Sequence, residues 1–600
     1  MPGLSLLVSP KLKENDYAAC LRGIADMRHD DDYRVEKVYG SDSAFLGFAA
    51  YPEYPRSVFD LEKHLVLLEG AIYDLDDSNL KDEMQHLAEW CDDGDSEIVE
   101  GRVKSWLMER DGPFVIVVIS KESDEVTILP DALGQLPLFH AFENGQLLVS
   151  REHKFIVRVT GTLQINPIGT AEQLIYGFPL HSRTHHANIW RFLPGTCMRY
   201  RCSSGPPRII TYWNWSLSQE KPSSSIDDFA QDMACRFKAA TIRRAKWNTQ
   251  YKNVVGLSGG LDSRGVLAGL SGIAEDVYAV TSIDHDGLNK RDVVVANEVA
   301  RFMHANHVTI DMKEPIIDDM RRLSYAKDGI NSIVMAGSYV LYDEILRKLG
   351  RKLLYYTGDG GLSMKTALMP GRKISNAQEM LSVTMMAPRI FEVSTCANLL
   401  GIAENDIAEA SVQLFESLPE ETYNLKHARF MMLERENRLN MEGLDRNRLA
   451  FWTAAPFYSL PVFTEAMRID DRWKAHYNFI RRFLAALKPG CEAITYADIM
   501  LPITSIWAQI APQMKSWIVE RPAIRRSSRR FLFRDAYGSF RFPQLVDALT
   551  DCVVESQTIN DQLDAALLRK LLDGRLNKMQ LMNIGTLIMY MHEQERVLKS

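Results

Sequence analysis

Glycine, serine and aspartate stand together in the string "VVGLSGGLDSRGVLAGL", Val254 to Leu270. An apolar run of Val254, Val255 and Leu257 gives way to Ser258-Gly259-Gly260, and an amphipathic pattern starts within three residues. A helix beginning here presents unpaired backbone N–H groups and a partial positive charge, a combination that attracts phosphate. Gly259 and Gly260 let the main chain approach an anion without a Cβ in the way, and Ser258 and Ser263 add hydroxyls. Asp262 would repel phosphate on its own; its place makes sense if it holds a Mg²⁺ ion that bridges to the phosphates. No lysine follows the glycines, so this is not the Walker arrangement.

The elements around this loop alternate. From Asn253 the chain reads as strand "NVVGL" and a helix from Asp262, "VYAVTSI" and a helix through "RDVVVANEVARFM", "HVTIDM" and helices to Leu349, then "KLLYYT" and a loop. That order predicts a doubly wound parallel sheet, in which ligands bind at the carboxyl ends of the strands. Ser258 and the loop after Thr357 are therefore expected to face one crevice. After about Gly371 the chain reads as mostly helical to its end.

Up to about Trp215 the pattern is different. "GPFVIVVIS", "VTILPD", "GQLLVS", "GTLQI" and "CMRYRC" are short β-rich runs broken by Gly, Pro, Asn or Asp, which predicts a layered α+β or sandwich domain. The Ser/Pro-rich "SLSQEKPSSS" reads as a linker and puts a boundary near Lys221, giving expected domains 1–220 and 221–600. A chain of 600 residues is too long for one ordinary core.

The net charge of -8 argues against a broad positive field for nucleic acid. A local exception, "RPAIRRSSRRFLFR" from Arg521 to Arg534, reads as a solvated or partner-pairing face, with a cradle for an anionic substrate or peptide as the alternative. Eight cysteines without a CxxC pair fit free thiols in a reducing cytoplasm. The start "MPGLSLLVSP" is not followed by a hydrophobic signal core, and no apolar run reaches the roughly eighteen residues of a membrane span. A cytoplasmic protein that neither inserts in membranes nor binds nucleic acid is expected.

Ser-Gly-Gly-Leu-Asp-Ser resembles the pyrophosphate loop of the ATP pyrophosphatases, which adenylate a carbonyl or carboxylate. From about Leu65 to Phe457 the chain resembles asparagine synthetase and its relatives. The likeness runs through "LLEGAIYD", "DALGQLPLFHAFENGQLLVSREHKF", "IWRFLPGTCMRY", "YWNW", then Asp292, Ala296 and His307, then "YTGDGG" and "LDRNRLAFWTAAPF". The resemblance implies an α+β, Ntn-hydrolase-like layered domain, followed by an α/β, adenine-nucleotide alpha-hydrolase-like (PP-loop) domain with a helical C-terminal extension. It implies ATP and Mg²⁺, with Ser258, Gly259, Gly260 and Ser263 on pyrophosphate and Asp262 on the metal. Thr357 and Gly358 would border the nucleotide, Leu257 and Ser282 would line the adenosine pocket, and Asp359 would orient the acyl acceptor or the metal.

Departures from the family narrow the reaction. Its glutaminase uses an N-terminal cysteine, whereas residue 2 here is Pro and the first cysteine is Cys20. Its oxyanion-stabilising Asn-Gly becomes Glu69-Gly70, which puts a carboxylate where negative charge would develop, so glutamine hydrolysis is expected to be absent. This loss resembles the branch of β-lactam synthetases and lasso-peptide cyclases, which use an amine already present in the substrate. The family's second metal-side acid becomes Leu362, and its Glu-Ala-Arg-Val becomes Trp452-Thr453-Ala454-Ala455. Its essential lysine is replaced by the stretch Thr495 to Asp498, which leaves Lys488 or an arginine of 521–534 as candidates for that charge.

The leading expectation is an AMP- and pyrophosphate-forming carbon–nitrogen ligase acting on a peptide or small molecule with both a carboxylate and an amine. Lasso-peptide macrolactam formation, with a precursor-processing protease as partner, is the favoured specific case. A catalytically silent nucleotide- or peptide-binding scaffold, an ammonia-dependent asparagine synthetase and a β-lactam synthetase-like enzyme stay open. "HSRTHH", His181 to His186, reads as a polar loop, because no acid or thiol sits at a metal-ligand spacing. The 25 methionines read as core filling, and Tyr339 and Tyr342 as either core or recognition residues.

Overall fold

A computed structural model describes residues 1–123, 125–214, 224–273, 276–285, 287, 289–385, 390–508, 543–574 and 576–600. The expected boundary near Lys221 and the basic run Arg521 to Arg534 lie outside the described residues.

Two antiparallel sheets build the N-terminal part. The first contains β1 (Gly3–Val8), β2 (Arg34–Gly40), β3 (Ala44–Ala50), β8 (Phe139–Glu143), β9 (Gln146–Ser150) and β10 (Trp190–Arg191) in the order β10-β8-β9-β1-β3-β2. The second contains β4 (Arg56–Asp60), β5 (His64–Gly70), β6 (Phe114–Ser120), β7 (Val126–Pro130), β11 (Thr196–Tyr200) and β12 (Arg208–Thr211) in the order β12-β11-β7-β6-β5-β4. Side-chain alternation explains the layering. Leu4, Leu6 and Val8 of β1 share a core with Leu65 and Leu67 of β5, while Leu7 packs with Cys20, Ile24 and Phe155 on the opposite face. Helices Glu14–Asp26 and His153–Thr160 thus cover the first sheet, and Asp77–Asp92 and Arg102–Glu109 pack against the second, giving four layers. β6, "FVIVVIS", is β-branched nearly throughout and buried on both faces, as an inner strand between a sheet and helices requires.

Of the expected β-runs, "GTLQI" differs. Only Ile165 takes part, in a single bridge to His186. "HSRTHH" is also not a solvated polar loop: His185 and His186 are 1% and 2% exposed. The sequence shows their polarity but not the chain that covers them, the distant helix Lys578–Lys599, whose Tyr590 stacks edge-on against both rings.

The second part is built on β13 (Lys252–Gly256), β14 (Val277–Ile283), β15 (Asn306–Asp311), β16 (Leu353–Tyr356) and β17 (Thr453–Ala454), all parallel, in the order β15-β14-β13-β16-β17. The chain moves outward from β13 to β14 and β15, then returns to place β16 on the other side of β13. The order therefore reverses between β13 and β16, where the carboxyl ends of two adjacent strands leave a crevice. β17 comes from the stretch read as mostly helical after Gly371; a two-residue strand carries too little pattern to be seen in a sequence. Tyr339 and Tyr342 are buried in the core behind this sheet. Helices Pro543–Glu555, Gln557–Gln562, Ala565–Asp573 and Lys578–Lys599 supply much of that core's outer wall. Among the described residues, no helix is long and apolar enough to cross a membrane.

A chain of buried ion pairs joins the two parts. Arg151 pairs with Glu69 at 3.1 Å and also with Asp445; Lys327 bridges Asp445 at 2.8 Å and Glu442 at 2.9 Å; and Arg191 reaches Glu442 at 2.8 Å. Asp328 accepts hydrogen bonds from the backbone N–H groups of His153 and Lys154, capping from outside a helix whose own N-cap residue supplies no side-chain cap.

Candidate active site

The loop Leu257–Gly260 follows β13 and opens the helix Leu261–Leu270. Gly260 caps this helix without a side chain, so no capping oxygen competes for the first-turn amides. The loop holds its shape through its own serines. Ser258 N–H donates to Ser263 Oγ at 3.2 Å, the two hydroxyls lie 3.1 Å apart, and Gly260 N–H donates to Ser258 Oγ at 3.2 Å. Gly259 N–H donates to Asp292 Oδ1 at 3.0 Å, which fixes the loop to the helix Lys290–Phe302.

Gly259 and Gly358 are required by close approach. A Cβ on Gly259 would lie 2.5 Å from the Cβ of Ala497, and one on Gly358 would lie 2.6 Å from the backbone N of Ser263. The first contact brings the segment Thr495–Asp498 over the Leu257–Gly260 loop, where Ala497 N–H donates to the Gly259 carbonyl at 3.3 Å. Arg264, buried in the loop's helix, holds that segment by donating to the carbonyls of Cys491, Ile494 and Thr495. The second contact seats the loop after β16 on the start of the Leu261–Leu270 helix.

The structure brings Ser258, Gly259, Gly260, Asp262, Ser263, Thr357, Gly358 and Asp359 to these two adjoining strand-end loops. Leu257 and Ser282 lie at the ends of neighbouring strands. The Leu257 side chain is buried in the core, and its carbonyl accepts from Thr281 Oγ1 at 2.8 Å. The Ser282 carbonyl accepts from Asn289 Nδ2 at 2.8 Å. His307 Nε2 lies 2.9 Å from Thr281 Oγ1 and so supports the same strand ends.

Asp262 does not stand free. Its Oδ2 accepts a hydrogen bond from Lys365 Nζ, while its Oδ1 is buried without a hydrogen-bond partner. Burial raises its carboxyl above the ordinary range, Lys365 opposes that rise, and Asp498 adds to it. Burial likewise raises Asp359, with Arg446 opposing and Asp262 adding. Glu436 is raised by burial and also feels Asp359 and Lys365. It lies on a π-helical segment, Phe430–Asn437, a geometry frequent at functional sites. Three carboxyls with raised proton affinity that feel one another's charge, one of them paired with Lys365, at a topological switch point, mark a candidate site on electrostatic grounds.

Lys365 and Glu436 escaped the sequence reading. A signal for Lys365 was present: a basic residue three positions beyond Leu362, in a loop that had lost an acid. Lys488, the sequence-stretch candidate for the missing charge, ends a separate helix, Asn478–Leu487, and the cation found on Asp262 is Lys365. Glu436 carried no local signal, because its helix reaches the crevice only through the fold.

At the other end of the ion-pair chain, Glu69 accepts from Leu4 N–H at 2.9 Å and from Tyr54 Oη at 2.8 Å, beside Arg151. The carboxylate expected to oppose oxyanion chemistry is thus used to anchor β1. Residues 55–213, which contain β4 to β12, match the glutamine amidotransferase domain family. No protein of curated function matches the chain significantly. Solved structures similar to it include the glutamine phosphoribosylpyrophosphate amidotransferase of B. subtilis complexed with ADP and GMP, at 11% identity and a TM-score of 0.25, covering 60% of this chain and 91% of that one. NMN synthetase from Francisella tularensis follows at 13% identity and a TM-score of 0.19, covering 37% and 96%. At such low scores neither likeness carries an argument about this chain.

Proposed function

We propose that this chain is an ATP- and Mg²⁺-dependent amide-forming enzyme that releases AMP and pyrophosphate and does not hydrolyse glutamine. The observation that carries this reading is the meeting of the Ser258–Ser263 and Thr357–Gly361 loops at the switch point of the parallel sheet, with Asp262 and Lys365 between them. The amides of the first helical turn and the hydroxyls of Ser258 and Ser263 suit pyrophosphate. Asp262 Oδ1 is a buried, unpartnered oxygen of the hard-donor type that Mg²⁺ takes, and Asp359 is the acid beside it. With water and phosphate oxygens, one or two carboxylates suffice to hold the ion, which when bound would neutralise phosphate charge. Lys365 would supply the cation that the stretch Thr495–Asp498 lacks. Glu436, with its raised proton affinity, is suited to take a proton from the attacking amine.

The favoured substrate is a precursor peptide whose own amine closes onto an activated carboxylate as a macrolactam. Its support is the resemblance together with the Glu69 carboxylate, tied into an ion-pair network where glutamine chemistry would need a donor. The full chain with Mg-ATP and such a peptide should release AMP and pyrophosphate in equal amounts, and added glutamine should yield no glutamate. Absence of both products over a panel of amine-bearing acids and peptides would remove the enzyme reading. A second reading, a silent nucleotide-binding scaffold, is favoured by Lys365 already occupying Asp262. ATP binding without turnover, altered only in affinity by Asp262→Ala, would select it. AMP formation that needs aspartate and ammonium would instead select the ammonia-dependent synthetase.

A further inference from the structure

Three imidazoles converge in the core far along the chain from the phosphate loop. His153 opens the helix His153–Thr160, and His185 and His186 follow each other in the loop before β10. One ring nitrogen from each lies within 4.8 Å of the others, and the three rings are 0%, 1% and 2% exposed. Both ring nitrogens of His153 and both of His185 have no hydrogen-bond partner. A neutral imidazole carries one donor and one acceptor, so two buried rings leave four polar sites unanswered. Such sites are costly when buried alone, and native cores hold few of them.

The cluster also has a polar contact at its edge. His186 has its Nε2 2.8 Å from the Tyr590 hydroxyl, the kind of outer contact that fixes a ligating ring and leaves Nδ1 for a metal. Asp328, which accepts from the His153 backbone N–H at 2.9 Å and pairs with Lys154 at 3.0 Å, is the nearby carboxylate. The three segments involved are the start of one helix, the loop 185–186 and, through Tyr590, the C-terminal helix Lys578–Lys599.

We propose that His153, His185 and His186 bind one Zn²⁺-class divalent transition-metal ion, a structural staple that fastens the N-terminal layers to the C-terminal helix. Nitrogen donors favour zinc and its neighbours over magnesium, so this site is chemically separate from the carboxylate crevice. Water is available as a fourth donor. A small closure of the rings brings the nitrogens to the Zn–N distance of about 2.0–2.1 Å.

The test uses the full chain, purified without a histidine tag and stripped with a chelator. Zn²⁺ uptake is read by elemental analysis, Co²⁺ uptake by its visible absorption, and stability by thermal unfolding with and without zinc. The expected result is one Zn²⁺ per chain, a tetrahedral-type Co²⁺ spectrum, and a Tm raised by zinc. His185→Gln and His153→Gln should lose the ion and the zinc-dependent Tm shift while keeping the far-UV circular dichroism of the fold. His86→Gln, which changes an exposed histidine stacked on Trp90, should keep both. If these site variants fail to fold, the wild-type chain decides alone through its stoichiometry and cobalt spectrum. Substoichiometric zinc in the wild type, or a Tm that zinc does not move, would overturn the proposal and leave three packed neutral histidines.

Discussion

Lys365 places its ammonium on one oxygen of Asp262, at the start of the helix that the phosphate loop opens. The pair joins the loop after β16 to the loop after β13 across the switch point. By resemblance, Leu362 stands where a second metal-binding acid would be. The absent carboxylate and the Lys365 ammonium three residues on both make the loop after β16 less negative.

Lys365→Met is therefore expected to move two affinities in opposite directions. Freed of the ammonium, Asp262 should bind Mg²⁺ more tightly in the absence of nucleotide. ATP should bind about tenfold or more weakly, since a hydrogen bond to a charged group is worth about 1.5–3 kcal/mol. Isothermal titration with each ligand separates the two effects. Unchanged affinities for both would show that Lys365 faces neither.

Arg151 is buried between Glu69 and Asp445, and removing it leaves two carboxylates without their shared partner. Arg151→Met should cost about 3–5 kcal/mol, the usual penalty for breaking a buried ion pair. Adding Glu69→Gln to that variant should recover part of the loss, because one of the stranded charges disappears. Denaturant midpoints for the two variants measure both steps; a double variant no more stable than the single would place the cost elsewhere.

How much of this was legible in the sequence follows from how local each signal is. The turn at Ser258–Gly260 is legible because strand, glycines and helix are contiguous, and the switch point follows from the strand–helix alternation. The histidine cluster is not, because its cover comes from Tyr590, far along the chain. Gly259 was read as making room for an anion, but the structure adds Ala497, whose contact depends on how the 495–498 segment folds back. For the charge absent from Thr495–Asp498 the sequence points to Lys488 or an arginine of 521–534, whereas the meeting of Lys365 with Asp262 depends on how the loop after β16 folds onto the helix Leu261–Leu270.

Acid should unfold the protein through the same buried network. Burial alone would raise the Asp445 carboxyl, but Arg151 and Lys327 hold it well below the usual range. Asp328 is held down in the same way, chiefly by Lys154 against the effect of burial. A carboxyl depressed in the folded state contributes stability above its unfolded pKa of about 3.9 and loses it as pH falls toward the folded value. Glu69, raised by burial, acts with the opposite sign and offsets part of this. Stability should therefore fall steeply below about pH 4, and Asp445→Asn should flatten that limb while lowering the plateau at neutral pH. Denaturant unfolding across pH checks both features, and an equally steep acid limb in Asp445→Asn would exclude this carboxylate as its source.

Gly259 offers a test of the lid-like contact over the phosphate loop. A Cβ there would lie 2.5 Å from Ala497 Cβ and 3.1 Å from Asp292 Oδ1, so Gly259→Ala must push the 495–498 segment outward. Overpacking of this kind costs about 1–3 kcal/mol, and here it also strains the hydrogen bond from Ala497 N–H to the Gly259 carbonyl. Ala497→Gly removes the harder collision and leaves the softer one with Asp292, so the double variant should regain most of the lost stability. Both quantities are measurable on the same samples: unfolding free energy, and Mg-ATP affinity. If Gly259→Ala weakened ATP binding and Ala497→Gly restored stability without restoring affinity, the glycine would be needed by the bound anion as well as by the segment that covers it.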